Sequence, residues 1–166
     1  MTEVSGSSIS GSVASLHLHP ARADDPLLSV DSFELAMEKG IVGNGRYFDR
    51  VSHSTGKPNR RQVSLIAREQ IAEHAISLGL ESIPPGAVRA NIETLGIDLM
   101  QLLGLHVAIG TAVIHFYEAR VPCSKMDALC AGLRQLMENN RQGVMAEVII
   151  PGQIRVGDTI RAVQPG

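Results

Sequence analysis

The stretch LHVAIGTAVIHFY, residues 105–117, holds two short apolar runs, Leu105–Ile109 and Ala112–Tyr117, separated by a turn at Gly110. Runs of five or six residues rich in β-branched and aromatic side chains, punctuated by glycine, are strands rather than helices. Working outward, AVRANI (87–92), MAEVII (145–150) and TIRAV (159–163) read the same way, and Gln62–Ile66 is a further β-type run. VASLHLH (13–19) alternates, with Val13, Ser15, His17 and His19 on one face and Ala14, Leu16 and Leu18 on the other. Helical spacing is confined to three places. Ser32–Lys39 is a short candidate ended by Gly40; Ile71, Ala75 and Leu78 form a stripe closed by Gly79; and Met126, Leu129, Leu133 and Leu136 mark one amphipathic helix over 124–140. Many short strands with two or three helices predict a mainly β (α+β) fold built on a closed or strongly curved sheet.

At 166 residues and 44% hydrophobic, the chain can bury a core of its own as one domain. Residues 1–12, rich in Ser and Gly, are expected to be a disordered tail, with a single domain over 13–166. The net charge of −2 with interleaved signs gives no electrostatic reason to expect nucleic acid or an anionic membrane. Every apolar run is interrupted before the roughly 20 residues that span a bilayer. The two cysteines, Cys123 and Cys130, would lie about 10 Å apart along one helix, too far for a disulfide. With no secretory signal at the N-terminus, a reducing, cytoplasmic location is expected.

Cys123 is the centre of the chemical reading. It follows Pro122 and precedes the predicted helix, whose N-terminus, with Arg120 nearby, would favour thiolate over thiol. That suits a nucleophile, a persulfide carrier or a soft-metal ligand, while a buried inert thiol is the plain alternative. Cys130, inside the helix, reads as packing. Arg89 and Asn91, two apart on an expected strand, would share a face and could grip an oxyanion or a planar heterocycle, unless that face is merely solvated. Arg46, Arg50, Arg60 and Arg61 lie in a glycine-rich stretch (40–61) expected to be a long surface loop, where guanidinium groups could gather round a phosphate or simply face water. Gly40, Gly43 and Gly45 lack the strand and helix of a dinucleotide fingerprint. His17 and His19 lack a companion metal ligand at a recognisable spacing.

Taken in order, RQVSLIAREQ (61–70), VRANIETLGIDLMQLLG (88–104), AVIHFYEARVPCSKM (112–126) and RQGVMAEVIIPGQIRVGDTIR (141–161) resemble the MOSC family, the molybdenum cofactor sulfurase C-terminal domain. The resemblance runs from about Gly40 to Arg161. It implies a β-barrel-like fold with a few peripheral helices, Cys123 as a sulfur-binding or molybdenum-ligating residue, and Arg89 and Asn91 as partners at the same site; a molybdenum cofactor held there is expected to have Arg46 near its phosphate and Arg120 beside the thiolate. It further implies either reduction of N-hydroxylated small molecules or sulfur handling, with a separate cysteine desulfurase or electron-transfer protein as partner. A metal-free persulfide carrier and a non-catalytic binding module are the competing functions. Where many relatives read G-D-R-H, this chain has Gly43-Asn44-Gly45-Arg46-Tyr47, which removes a carboxylate and a histidine; Gly143 is followed by Val144 rather than an aromatic residue.

Overall fold

The computed structural model describes residues 9–122, 125–138 and 141–163. Its elements in chain order are β1 (Ser10–Leu18), β2 (Leu28–Val30), β3 (Ser32–Ala36), β4 (Gly40–Ile41), β5 (Val63–Ala67), α1 (Arg68–Ser77), β6 (Ile92–Leu95), β7 (His106–Ile109), β8 (Ala112–Ala119), α2 (Lys125–Leu129), α3 (Leu133–Leu136), β9 (Val144–Ile150), β10 (Gly152–Arg155) and β11 (Thr159–Ala162). Seven strands run in the order β11-β7-β8-β9-β5-β6-β1, and β1 pairs back onto β11 to close a barrel; β2 adds to the outside of β1. A small sheet, β10-β3-β4, packs beside it. The mainly β, barrel-type fold expected from the sequence is what forms.

All barrel pairings are antiparallel except β5 with β6. A parallel pair cannot be joined by a tight turn and needs a crossover. Here α1 and residues 78–91 supply it, carrying the chain outside the barrel and back. This explains the pattern of β5, whose run of buried residues does not alternate. Leu65 enters the barrel core with Leu16, Ile92, Ile114 and Phe116, whereas its neighbour Ile66 faces a second core with Ile71, Val88, Met126, Leu133 and Met137 under the helices. Both faces are buried, so both carry apolar side chains.

Five expectations are corrected. Ser32–Lys39 is no helix: Phe33 and Leu35 point into the core with Glu34 exposed between them, a period of two, and the segment turns back through Glu38 (φ 65°) and Gly40 (φ 100°) to form β4. The single helix over 124–140 is two short ones, α2 and α3, broken at Gly132 (φ 90°); Leu129 on the supposed apolar stripe is exposed, so no continuous face holds one long helix down. AVRANI is not a strand throughout, since Ala87 and Val88 lie in a turn, Arg89 is left-handed (φ 66°), and β6 begins only at Ile92. The strict alternation of β1 is interrupted by a bulge between Val13 and Ser15, which lets Val13 and Leu16 both enter the core. β1 also begins earlier than expected, because Ser10–Ser12 pair with Thr159–Arg161.

Candidate functional site

A cavity of about 420 Å³ lies against the outer face of the barrel, where Ser64 of β5 and Met145 of β9, whose neighbours Val63, Leu65, Val144 and Ala146 enter the barrel core, meet the segments that follow β1 and β8 and precede β6. Arg46, Arg89, Asn91 and Arg120, scattered over some seventy positions of sequence, all line it. Cys123 lies outside the described residues; Val121 and Met126 on either side of it line the same cavity, Val121 exposed and Met126 buried.

Asn91 is buried and ties three segments together. Its Oδ1 accepts the Ser64 backbone N–H (3.0 Å) and hydroxyl (3.1 Å), and its Nδ2 donates to the His17 carbonyl (3.0 Å) and to Asn44 Oδ1 (3.1 Å). Its backbone completes the pattern, the N–H donating to Ser64 Oγ (3.0 Å) and the carbonyl accepting from His17 N–H (2.7 Å). Arg89 donates through its two terminal nitrogens to the carbonyls of Asp25 (3.0 Å) and Ala23 (2.8 Å). Arg120 donates in turn to the carbonyls of Val88 (3.0 Å) and Arg89 (3.1 Å). Holding those two carbonyls supports the left-handed Arg89, a conformation that costs a non-glycine residue about 1–2 kcal/mol. The pair Arg89 and Asn91 therefore meets at the cavity through a turn, not as neighbours on a strand face, and their described side-chain bonds build its wall.

The glycine-rich stretch is not only a solvated loop. Asn44 within it is fully buried, and Gly45 must be a glycine because a Cβ there would overlap the carbonyls of His19 and Pro20. Of the four arginines in the stretch only Arg46 and Arg61 line the cavity. They flank Tyr47, with guanidinium carbons 5.6 and 6.0 Å from its ring centroid, and His19 packs edge-on against that ring at 4.7 Å. Arg50 bonds back to the Arg46 carbonyl (2.9 Å). Arg60 turns away to Glu147 (2.8 Å) and stacks over Tyr117 (4.1 Å). Its hydrogen bond holds the Glu147 carboxyl below the usual carboxylate range, opposed by burial and helped by His115.

Two buried polar atoms of residues that line this cavity, Asn44 Nδ2 and Gln142 Oε1, have no hydrogen-bond partner among the described residues. Each such orphan costs about 1–3 kcal/mol, which a bound polar group would relieve. Four guanidinium groups and the carboxylate of Asp24 line the cavity, so it is cationic in a chain whose net charge is negative. Ser64 and Gln142 are site residues that sequence reasoning does not single out, and Asn44 and Tyr47 enter it only as a departure from G-D-R-H. The one local sign is a polar side chain set between two glycines at Gly43-Asn44-Gly45.

Behind the Asn91 node lies a buried ionic cluster. Glu93 accepts from Arg68 (Nε 3.2 Å, Nη2 3.0 Å) and from the Gly86 N–H (2.7 Å), and Arg68 also donates to Ser15 Oγ (2.7 Å). His17 sits between Ser15 (2.8 Å) and Ser29 (3.3 Å), with Glu93 3.8 Å away. Burial lowers the His17 pKa and Arg68 adds to this, although Glu93 pulls the other way. His17 is thus a packed side chain whose burial disfavours its charged form. Among the described residues no group of three His, Cys, Asp or Glu side chains is placed to hold a metal, and no helix is long and apolar enough to cross a membrane.

The sequence model of the MOSC domain matches residues 49–161. Among solved structures, the YuaD protein from Bacillus subtilis superposes with a TM-score of 0.76 at 19% identity, over 94% of this chain and 98% of that one. YiiM from Escherichia coli gives 0.66 at 20% identity, over 95% and 71%. YiiM from Geobacillus stearothermophilus gives 0.67 at 17%, over 94% and 76%. No curated protein matches the sequence.

Proposed function

Because the chain belongs to the MOSC domain family, we propose that its cavity binds the molybdenum cofactor, with Cys123 as the sulfur ligand, and that the protein reduces N-hydroxylated small molecules. The observation that carries this reading is the cationic cavity beside the Cys123 segment, lined by Arg46, Arg61, Arg89 and Arg120. A pterin cofactor carrying phosphate is anionic and planar, and a volume of about 420 Å³ with orphaned amide atoms in its lining suits such a group. Arg46 and Arg61 would face the phosphate. Arg89, Asn91 and Arg120 would hold the wall against which the ring system lies, and Cys123, as thiolate, would offer the soft donor that such a metal prefers. When bound, the cofactor supplies the two-electron redox chemistry that reduction of an N–O bond requires. The electrons would come from a separate electron-transfer protein.

The chain's own contribution is to bind, orient and desolvate. Guanidinium forks match phosphate oxygens and are permanently charged. Tyr47 contributes an aromatic ring to the cavity lining, and Met126 and Met145 contribute soft apolar side chains. A carrier that only receives sulfur from a cysteine desulfurase on Cys123 has no use for so many cationic groups, which is why the cofactor reading comes first. Native protein from a host that makes the cofactor is expected to contain stoichiometric molybdenum, and Cys123→Ala to contain none. Metal-free native protein that gains the mass of one sulfur atom on Cys123 when incubated with a cysteine desulfurase would establish the carrier instead.

A further inference from the structure

Asn44 has a side chain whose orientation is fixed by its neighbours. Its Oδ1 accepts from the His19 backbone N–H (2.8 Å) and from Asn91 Nδ2 (3.1 Å). Rotating the amide by half a turn would set Nδ2 against two N–H donors, so the oxygen must face them and the nitrogen must face away. That nitrogen is buried and has no partner among the described residues, in a residue that itself lines the cavity. Two residues on, Arg46 flanks the Tyr47 ring, with Arg61 also against it, and neither guanidinium is paired with a carboxylate among the described residues.

We propose that Asn44 is the specificity-determining residue of this cavity, donating its Nδ2–H to an anionic oxygen of an oxyanion-bearing ligand whose charge Arg46 and Arg61 balance at the rim. An aspartate here would keep the same shape and the same two accepted bonds. It would turn the inward-facing donor into a second acceptor bearing negative charge, which repels such an oxygen. The neutral amide thus makes the cavity receptive to a more highly charged anion than a carboxylate at this position would admit. This inference rests on the cavity being a ligand site, but not on which cofactor fills it or on any metal.

The test is calorimetric titration of the full chain, freed of bound small molecules, with inorganic phosphate and with phenyl phosphate at low ionic strength. Saturable binding is expected, weakened at least tenfold by Asn44→Asp and by Arg61→Gln and unchanged by Lys57→Gln, whose side chain lies outside the cavity. Tighter binding of phenyl phosphate would identify an organic phosphate monoester as the occupant; equal binding would identify the free oxyanion. In the wild-type chain the assigned Asn44 side-chain amide protons should shift downfield as phosphate saturates, a signature that does not depend on any variant folding. Absence of saturable binding, a folded Asn44→Asp chain that binds as tightly as wild type, or an unmoved amide resonance would each overturn the proposal. None of these readouts involves molybdenum, so their failure is distinct from a metal-free native protein.

Discussion

At the scale of single residues, Asn91 shows how one polar side chain can hold a site together. Its four side-chain hydrogen bonds join the ends of β1, β5 and the Asn44 loop. Asn91→Ala would strand the Ser64 N–H and the His17 carbonyl in a buried setting, and should destabilise the fold by about 2–4 kcal/mol in urea denaturation. His17 makes a pH prediction. Its folded pKa lies below the ordinary 6.5, so the unfolded chain takes up its proton first. The stabilisation is complete above the unfolded value and fades as pH falls below it toward the folded one. The urea midpoint should therefore drop between pH 7 and pH 5, and His17→Gln should flatten that part of the profile. The candidate site is partly legible at this scale. Arg46, Arg89, Asn91 and Arg120 meet at one cavity, yet the bonds that fix Arg89 and Asn91 run to Ala23, Asp25, His17 and Ser64. No local spacing announces partners so distant in sequence. Asn44 shows in the sequence only as a departure from G-D-R-H, because a fully buried amide inside a glycine-rich loop looks there like any solvated one.

Among the elements, those whose pattern reflects a single packed face are legible, and those shaped by two neighbours or by a turn are not. β7, β8, β9 and β11 are plain in the sequence because alternation, or a dense β-branched run of that length, fits little besides a strand. β3 resembles a helix because its eight-residue window ends in Gly40, a signal shared by helix stops and hairpin turns. The α2–α3 break is hidden because Gly132 sits within an otherwise periodic apolar stripe. Two glycines separate tolerance from necessity here. Gly132 has a left-handed backbone but only Leu78 near it, at 3.4 Å, so Gly132→Ala should cost about 1–2 kcal/mol, the strain alone. Gly143, left-handed as well, lies where a Cβ would overlap the Leu65 carbonyl. Gly143→Ala should force β5 away from the start of β9, where Leu65 pairs with Val144, and cost more than about 3 kcal/mol. Thermal melts of the two variants, run side by side, check the ranking.

For the whole molecule, the decisive event is closure of the barrel by β1 on β11. Ile160 on β11 is fully buried and lies opposite both Gly11 and Ile109, at the seam where first and last strands meet. Ile160→Ala should cost about 2–5 kcal/mol, with amide exchange accelerating together in β1 and β7 rather than in β11 alone. The closed sheet is legible from the number of short strands, whereas the single parallel joint between β5 and β6, which sends the chain outside to form the second core, is not. That seam has a further consequence. Ser10 pairs with Arg161, so the polypeptide enters and leaves the barrel on the same rung. Such a domain behaves as a cassette: a host chain could accommodate it at two adjacent residues of a surface loop without being pried apart. Joining the two ends through a short Gly-Ser bridge and opening the chain at the exposed Ser54–Thr55 tip should likewise yield a folded circular permutant, recognisable by an unchanged circular dichroism spectrum.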